Sequence, residues 1–225
     1  MVVENLHIAF DIEMDKTMDY EYPYISPEQK DYWLCKAQDR FVKHKAFGNN
    51  LFKSTFEETQ KRIDDLRTIV KKESIVPVNT SLLAVTQLPS DYQYLFRHQC
   101  TTSSTLGGNT IVAGLQVKND EIGTIKKNPF EKPVQSEPIY YLEGNTIVYE
   151  LVDSSFTIIN TTITYIKKYR PIRYGVAYTS PLTNSECELP EHTHSEIVDI
   201  AVSMVLENIE SPRYQSNNNE LTKTE

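Results

Sequence analysis

One stretch constrains the fold more than any other. It runs Leu189-Pro190-Glu191-His192-Thr193-His194-Ser195-Glu196-Ile197-Val198-Asp199-Ile200-Ala201-Val202-Ser203-Met204-Val205-Leu206-Glu207-Asn208-Ile209-Glu210. Ile197, Val198, Ala201, Val202, Val205 and Ile209 recur at steps of three and four, the spacing of one helix face. Pro190 opens the segment, Glu191 and Glu196 lie toward its positive end, and Pro212 stops it. A helix this apolar has to lie against other helices. The partners with the right pattern stand near the other end of the chain.

The first of these begins at Ser26-Pro27-Glu28-Gln29, a capping box with proline at the first helical position. Leu34, Ala37 and Phe41, with Trp33 beside them, form its apolar face, and Lys43, His44 and Lys45 sit in the last turn, where the dipole favours positive charge. Gly48 falls just past its end. The second begins at Ser54-Thr55-Phe56-Glu57 and continues through Phe56, Thr59, Ile63, Leu66 and Val70 to Lys71 and Lys72. Glu57 with Lys61, and Glu58 with Arg62, are i,i+4 pairs worth about 0.2–0.5 kcal/mol each. A short connection makes the two an antiparallel hairpin. Ahead of them, Leu6, Ile8, Phe10 and Ile12 alternate with period two, a strand signal that a short helix also satisfies.

Between the hairpin and the closing helix the pattern turns to β. Ser81–Leu88, Tyr92–His98 and Ile111–Lys118 read as strands. Ile139–Glu143 and Thr146–Leu151 flank Gly144-Asn145, a two-residue hairpin turn with glycine first. Phe156–Ile166 is the last strand, and Pro129-Phe130-Glu131-Lys132-Pro133 is a rigid loop. The expectation is about five or six antiparallel strands in a small sandwich or partly open barrel. The fold class is therefore α+β, an antiparallel helical bundle carrying an inserted β domain. The expected division is an N-terminal extension over 1–25, a helical hairpin over 26–73, the β insert over 74–188, the closing helix over 189–212 and a polar tail over 213–225. Gln215-Ser216-Asn217-Asn218-Asn219 in that tail is too polar to offset its own ordering entropy.

Composition removes several functions. Seven glycines and no GxGxxG or GxxxxGK[ST] argue against a phosphate-cradling loop. A net charge of −8 repels phosphate backbones, so DNA is not gripped, although a negative wall lets it slide. Cys35, Cys100 and Cys187 form no CxxC pair, which points to reduced thiols rather than a disulfide framework or a zinc knuckle. The opening residues lack a basic segment followed by an apolar core, so no signal peptide is expected. No apolar run reaches the roughly 20 residues that span a bilayer. Fourteen tyrosines suit β surfaces and interfaces.

Candidate chemistry is sparse. His192 and His194, with Glu191 and Glu196, are the nearest thing to a metal cluster, but residues two apart on a helix point away from each other. Ser195 beside His194 lacks a GxSxG elbow and an orienting acid. Asp64-Asp65 and Glu57-Glu58 read as a solvated helix face with Lys and Arg partners. Lys167-Lys168-Tyr169-Arg170 with Arg173 is a basic patch that reads first as a guarded sheet edge. The expectation is no catalytic residue, no metal ligand and no cofactor.

A set of segments carries a resemblance. They are Leu34-Cys35-Lys36-Ala37-Gln38-Asp39-Arg40-Phe41-Val42, Thr59-Gln60-Lys61-Arg62-Ile63-Asp64-Asp65-Leu66-Arg67, Leu88-Pro89-Ser90-Asp91-Tyr92, Asn128-Pro129-Phe130-Glu131-Lys132-Pro133, Thr164-Tyr165-Ile166-Lys167-Lys168, Leu189-Pro190-Glu191-His192 and Glu207-Asn208-Ile209-Glu210-Ser211-Pro212-Arg213-Tyr214. In this order the chain resembles the head-to-tail connector, adaptor or ring proteins of crAss-like Bacteroides phages. The resemblance implies a homo-oligomeric ring of roughly twelve subunits, a dodecamer, each subunit offering different patches to its two neighbours. It also implies the portal protein and a tail or next ring protein as partners, and genomic DNA passing through the channel without sequence-specific binding. The implied location is the virion head–tail junction, after assembly in the host cytoplasm, with no membrane contact. The Tyr-rich strands are expected at the subunit contacts. Two other readings are a tail-hub or fibre-attachment protein, and a small metal-dependent hydrolase centred on His192, His194 and Glu196.

Overall fold

A computed structural model describes residues 1–17, 24–47, 60–104, 107–128, 130, 132–151, 156–175 and 184–209. The chain is α+β and divides into two compact units. Met1–Ile69 with Tyr169–Glu225 form a helical unit, and Val70–Lys168 form a β unit.

In the helical unit, α1 spans Val3–Thr17, α2 Pro27–Phe47, α3 Gln60–Leu66 and α5 His194–Asn208, while α4, Ile122–Ile125, belongs to the β unit. The period-two reading of the first residues is corrected. Val3, Leu6, His7, Phe10 and Met14 are buried along one helical stripe, whereas Ile8 and Ile12 are exposed. The alternation of 6, 8, 10 and 12 was two helical stripes overlaid, 6–10–14 and 8–12. The capping box of α2 forms as expected: the Ser26 amide donates to Gln29 Oε1 at 3.0 Å and the Gln29 amide to Ser26 Oγ at 3.4 Å. Leu34, Ala37 and Phe41 are buried. The Ser54–Glu57 start of the next helix, the pairs of Glu57 and Glu58, and Gly48 lie outside the described residues.

The described part of that helix, α3, ends at Leu66, and Val70–Ile75 is strand β1 rather than a last helical turn. Residues 70–75 pair in full register with Ile166 back to Thr161, and that ladder outweighs the local helical pattern. The closing helix is shorter than read: it begins at His194, Ile209 is its half-buried C-cap, and its expected end at 210–212, like the polar tail, lies outside the described residues. A single 3-10 turn, Glu191–Thr193, leads into α5, whose Ile197, Val198, Ala201, Val202, Val205 and Leu206 are buried. Helix α5 packs against both α1 and α2, and α2 packs against α3. Each fully buried Leu, Ile, Val or Phe contributes about 1.5–3 kcal/mol, so this shared apolar seam is the main cohesion between the two ends of the chain. Residues 169–175 and 184–188, read from sequence as part of the β insert, fall with the helices. Ile172 is fully buried there, and its carbonyl accepts from Cys35 Sγ at 3.1 Å.

The β unit holds β1, β2 (Val78–Asn79), β3 (Leu83–Gln87), β4 (Tyr92–Ser104), β5 (Asn109–Val112), β6 (Leu115–Gln116), a short helix α4 (Ile122–Ile125), β7 (Ile139–Glu143), β8 (Thr146–Glu150) and β9 (Phe156–Lys167). They make two sheets, ordered β1-β9-β4-β5 and β2-β3-β8-β7-β6. That is more strands than expected, and β6 runs parallel to β7, so the second sheet is mixed. The segment read as one strand over 111–118 breaks between β5 and β6. At that break a Cβ on Gly114 would stand 2.8 Å from the His98 ring and from Tyr140, so the chain passes only because Gly114 has none. The β7–β8 hairpin forms as read, with Gly144 at φ +56. One core serves both sheets: Ala84, Tyr140, Ile147 and Tyr149 come from the five-stranded sheet, and Cys100, Ile158, Ile163 and Tyr165 from the four-stranded one.

Candidate functional site

Three polar clusters are built into the fold. The first lies where α2, α3 and the start of α5 converge. Asp65 is fully buried, and its Oδ1 accepts from, or shares a proton with, His192 Nε2 at 2.8 Å. Lys45, also buried, reaches Asp65 Oδ2 at 3.7 Å and Glu196 Oε2 at 3.1 Å, while Lys61 reaches Glu196 Oε1 at 3.1 Å. Burial opposes charge on Glu196, but Lys45 and Lys61 outweigh it and hold the carboxyl below the usual carboxylate range. One expectation is corrected here. Asp65 is not on a solvated face, because α3 turns it inward. Lys45 does stand in the last turn of α2, and it is in addition the buried partner of two acids.

The second cluster joins α1 to α2 and to the segment before α5. Asp31 is buried; His7 Nε2 stands 2.8 Å from its Oδ1, and the Tyr174 amide donates to Oδ1 at 3.1 Å and to Oδ2 at 3.0 Å. A carboxylate that collects a backbone amide and an imidazole fixes both elements at once. Nothing in the sequence near Asp31 marks it, because its partners lie 24 and 143 residues away.

The third cluster bridges the two sheets. His98 Nε2 lies 2.5 Å from the Tyr149 hydroxyl, which lies 2.7 Å from Thr161 Oγ1, which lies 3.2 Å from Thr86 Oγ1. Asn79 Nδ2 adds a fourth link, donating to the Ile158 carbonyl at 2.7 Å. Burial pushes the His98 imidazole down to about 4 and the Tyr149 hydroxyl far up, so both stay neutral. Tyr140, Tyr149 and Tyr165 are all buried. The expectation that the strand tyrosines serve subunit contacts is therefore corrected for these three: they fill the core. The exposed rings among the described tyrosines, Tyr24 and Tyr32, are in the helical unit.

Of the sequence candidates for chemistry, His192 and Glu196 meet in the first cluster, whereas His194 and Glu191 take other partners. His192 bonds Asp65, while His194 is buried with its Nε2 3.0 Å from the Leu189 carbonyl. A ring nitrogen facing a carbonyl carries the proton, so at that atom His194 is no base for exposed Ser195. Glu191 meets the N-terminal ammonium of Met1 at 3.4 Å, and Glu196 belongs to the lysines. Among the described residues no three His, Cys, Asp or Glu side chains are placed to hold a metal ion. Burial raises the thiols of Cys100 to about 12 and Cys187 to about 11, which keeps them protonated and unreactive. In the basic patch, Arg170 pairs with Glu188 at 3.4 Å, the Tyr169 hydroxyl donates to Asp39 at 2.7 Å, and the Arg173 amide pairs with Ser185. Within the β unit, Lys71 and the Tyr165 hydroxyl both bond Asp91, and these bonds hold its carboxyl below its ordinary range.

These clusters clasp elements of the fold together. The sequence matches the family described as phage tail ring protein 3/4 over residues 1–219. The chain belongs to that family. It is similar to Ring protein 4/5 of Bacteroides phage crAss001, 28% identical over 91% of this chain and 92% of the relative. As a tail ring protein it is a structural component of the phage particle that works as an oligomeric assembly. No helix among the described residues is long and apolar enough to cross a membrane.

Proposed function

We propose that this tail ring protein is a subunit of the head-to-tail connector, forming a closed ring between the portal and the next tail component, around the channel through which the genome leaves. The single observation that carries the proposal is the family match over nearly the whole chain. The net charge of −8 supports a wall that DNA passes without being held. The ring is a dodecamer assembled in the host cytoplasm, and the chain has no catalytic role. The helices form a bundle, and the two sheets are a sandwich inserted into it; the core that both sheets share supports this arrangement. Two units give each subunit separable surfaces, which head-to-tail ring closure requires.

Cross-linking mass spectrometry on intact particles tests the placement. Links from exposed lysines such as Lys118 to the portal protein and to a second tail protein are expected. Links confined to fibre or hub proteins, with none to the portal, would contradict the connector assignment.

A further inference from the structure

A subunit in a rotationally symmetric ring must present two unlike patches, one to each neighbour. The five-stranded sheet offers such a pair at its two edges, β2 and β6. The β2 edge is apolar: Val76 and Val78 are 76% and 71% exposed, and Leu82 is exposed just beyond it. The β6 edge is concave. Leu115, Val117, Ile125, Phe130, Val134 and Ile139 form the apolar lining of a cleft of about 690 Å³ beside it, which Glu121, Lys132 and Glu137 also line, and Phe130 is 95% exposed.

Charge separates these edges from the rest of the surface. No Asp, Glu, Lys or Arg occurs from Ser74 to Ser90 or from Thr101 to Val117, in a chain that is 24% charged. Exposed strand edges are ordinarily guarded by charges, and lone apolar edges invite pairing. Copies that each carry −8 repel, so edge strands without charges of their own are where they approach at least cost, and the charges of the β6 cleft, Glu121, Lys132 and Glu137, include both signs. Strand direction also fits. Reading across the sheet, β2, β3, β8 and β7 alternate and β6 follows β7, so β2 and β6 run in opposite directions. If the sheet continues from one copy into the next, β6 meets β2 as an antiparallel pair.

We propose, resting on the ring reading above, that the β2 edge of one copy seats on the β6 edge and cleft of the next, with Val76, Val78 and Leu82 entering the cleft. The occupant of the cleft is thus a second copy of this chain. Two-residue strands give few ladder bonds, so the apolar side chains carry most of the contact.

The test uses tails assembled from full-length chains carrying both Val78→Cys and Leu115→Cys, with the single variants and the unaltered chain as controls for the natural cysteines. Under mild oxidation the double variant should give a ladder of covalent multimers of this chain alone, and the controls none. In a second arm, Val78→Asp or Leu115→Lys alone should cut incorporation into tails about tenfold or more, and the two together should restore it to within about threefold. Electron micrographs of unaltered tails separate the two possible failures. A ring on the tail axis without ladder or rescue would overturn the edge contact and leave the ring reading standing. Absence of the ring would remove both. Cross-links from Leu115→Cys to a different tail protein would also overturn it.

Discussion

The helical unit hides Asp31, Asp65 and Lys45, whereas the β unit hides mainly hydroxyls and one imidazole, its one buried carboxylate among the described residues being Glu150, paired with the exposed Lys126. The helices come from distant parts of the chain, and apolar stripes leave their rotation and sliding loosely specified. Carboxylates that bond a backbone amide, an imidazole or a lysine at each crossing pin one arrangement. The sheets are already registered by their ladders, so neutral links from Thr86, Thr161, Tyr149 and Asn79 suffice to hold one sheet over the other. The difference teaches that the cost of a deletion depends on what it strands: a buried charge at the helix crossings, a neutral hydroxyl partner between the sheets.

The sharpest way to break this contrast is Asp65→Ala, which leaves buried Lys45 with Glu196 alone, takes the acceptor from His192 and opens a void at a fully buried position. A loss of about 3–5 kcal/mol is expected. Trp33, the one tryptophan, lies in α2, so its fluorescence in urea follows the helical unit. A loss under about 1 kcal/mol would end the clasp argument.

The next largest effect is a pH dependence in the β unit. An unfolded histidine binds a proton below about 6.5, whereas His98 in the fold waits until about 4. Stability is therefore full above the unfolded value and falls as pH drops through that window, by at most about 3 kcal/mol. Hydrogen exchange of the β4 and β9 amides should show the loss, and His98→Gln should flatten it. A slope unchanged in the variant would assign the effect elsewhere.

Tyr149→Phe removes one hydroxyl from the sheet-to-sheet chain and should cost about 1–2 kcal/mol in the same exchange measurement. A cost equal to that of Asp65→Ala would erase the distinction between the units. The smallest effect is Gly144→Ala. Nothing stands within 4 Å of the added methyl, so only the positive φ opposes it, and about 1 kcal/mol is expected.

Local signals were legible in the sequence. The capping box at Ser26, the hairpin around Gly144 and the stripe of α5 all depend on residues within a few positions of one another. What failed depended on distance. The overlaid stripes of α1 resolve only once α5 covers one of them, and Val70 joins a strand because β9, some ninety residues on, pairs with it. Asp31 and Asp65 look like ordinary acidic positions until Tyr174 and His192 arrive from the far end of the chain. The strand tyrosines misled for a related reason: a phenol suits a wet interface and a buried hydroxyl network equally well, and only the second sheet decides between them.

A cryo-EM reconstruction of the tail at side-chain resolution bears most directly on the role assigned to this chain. The expected map shows a closed ring of this protein beneath the portal, with the β2 edge of each copy in the β6 cleft of the next. The chain as isolated copies away from the tail axis would contradict it.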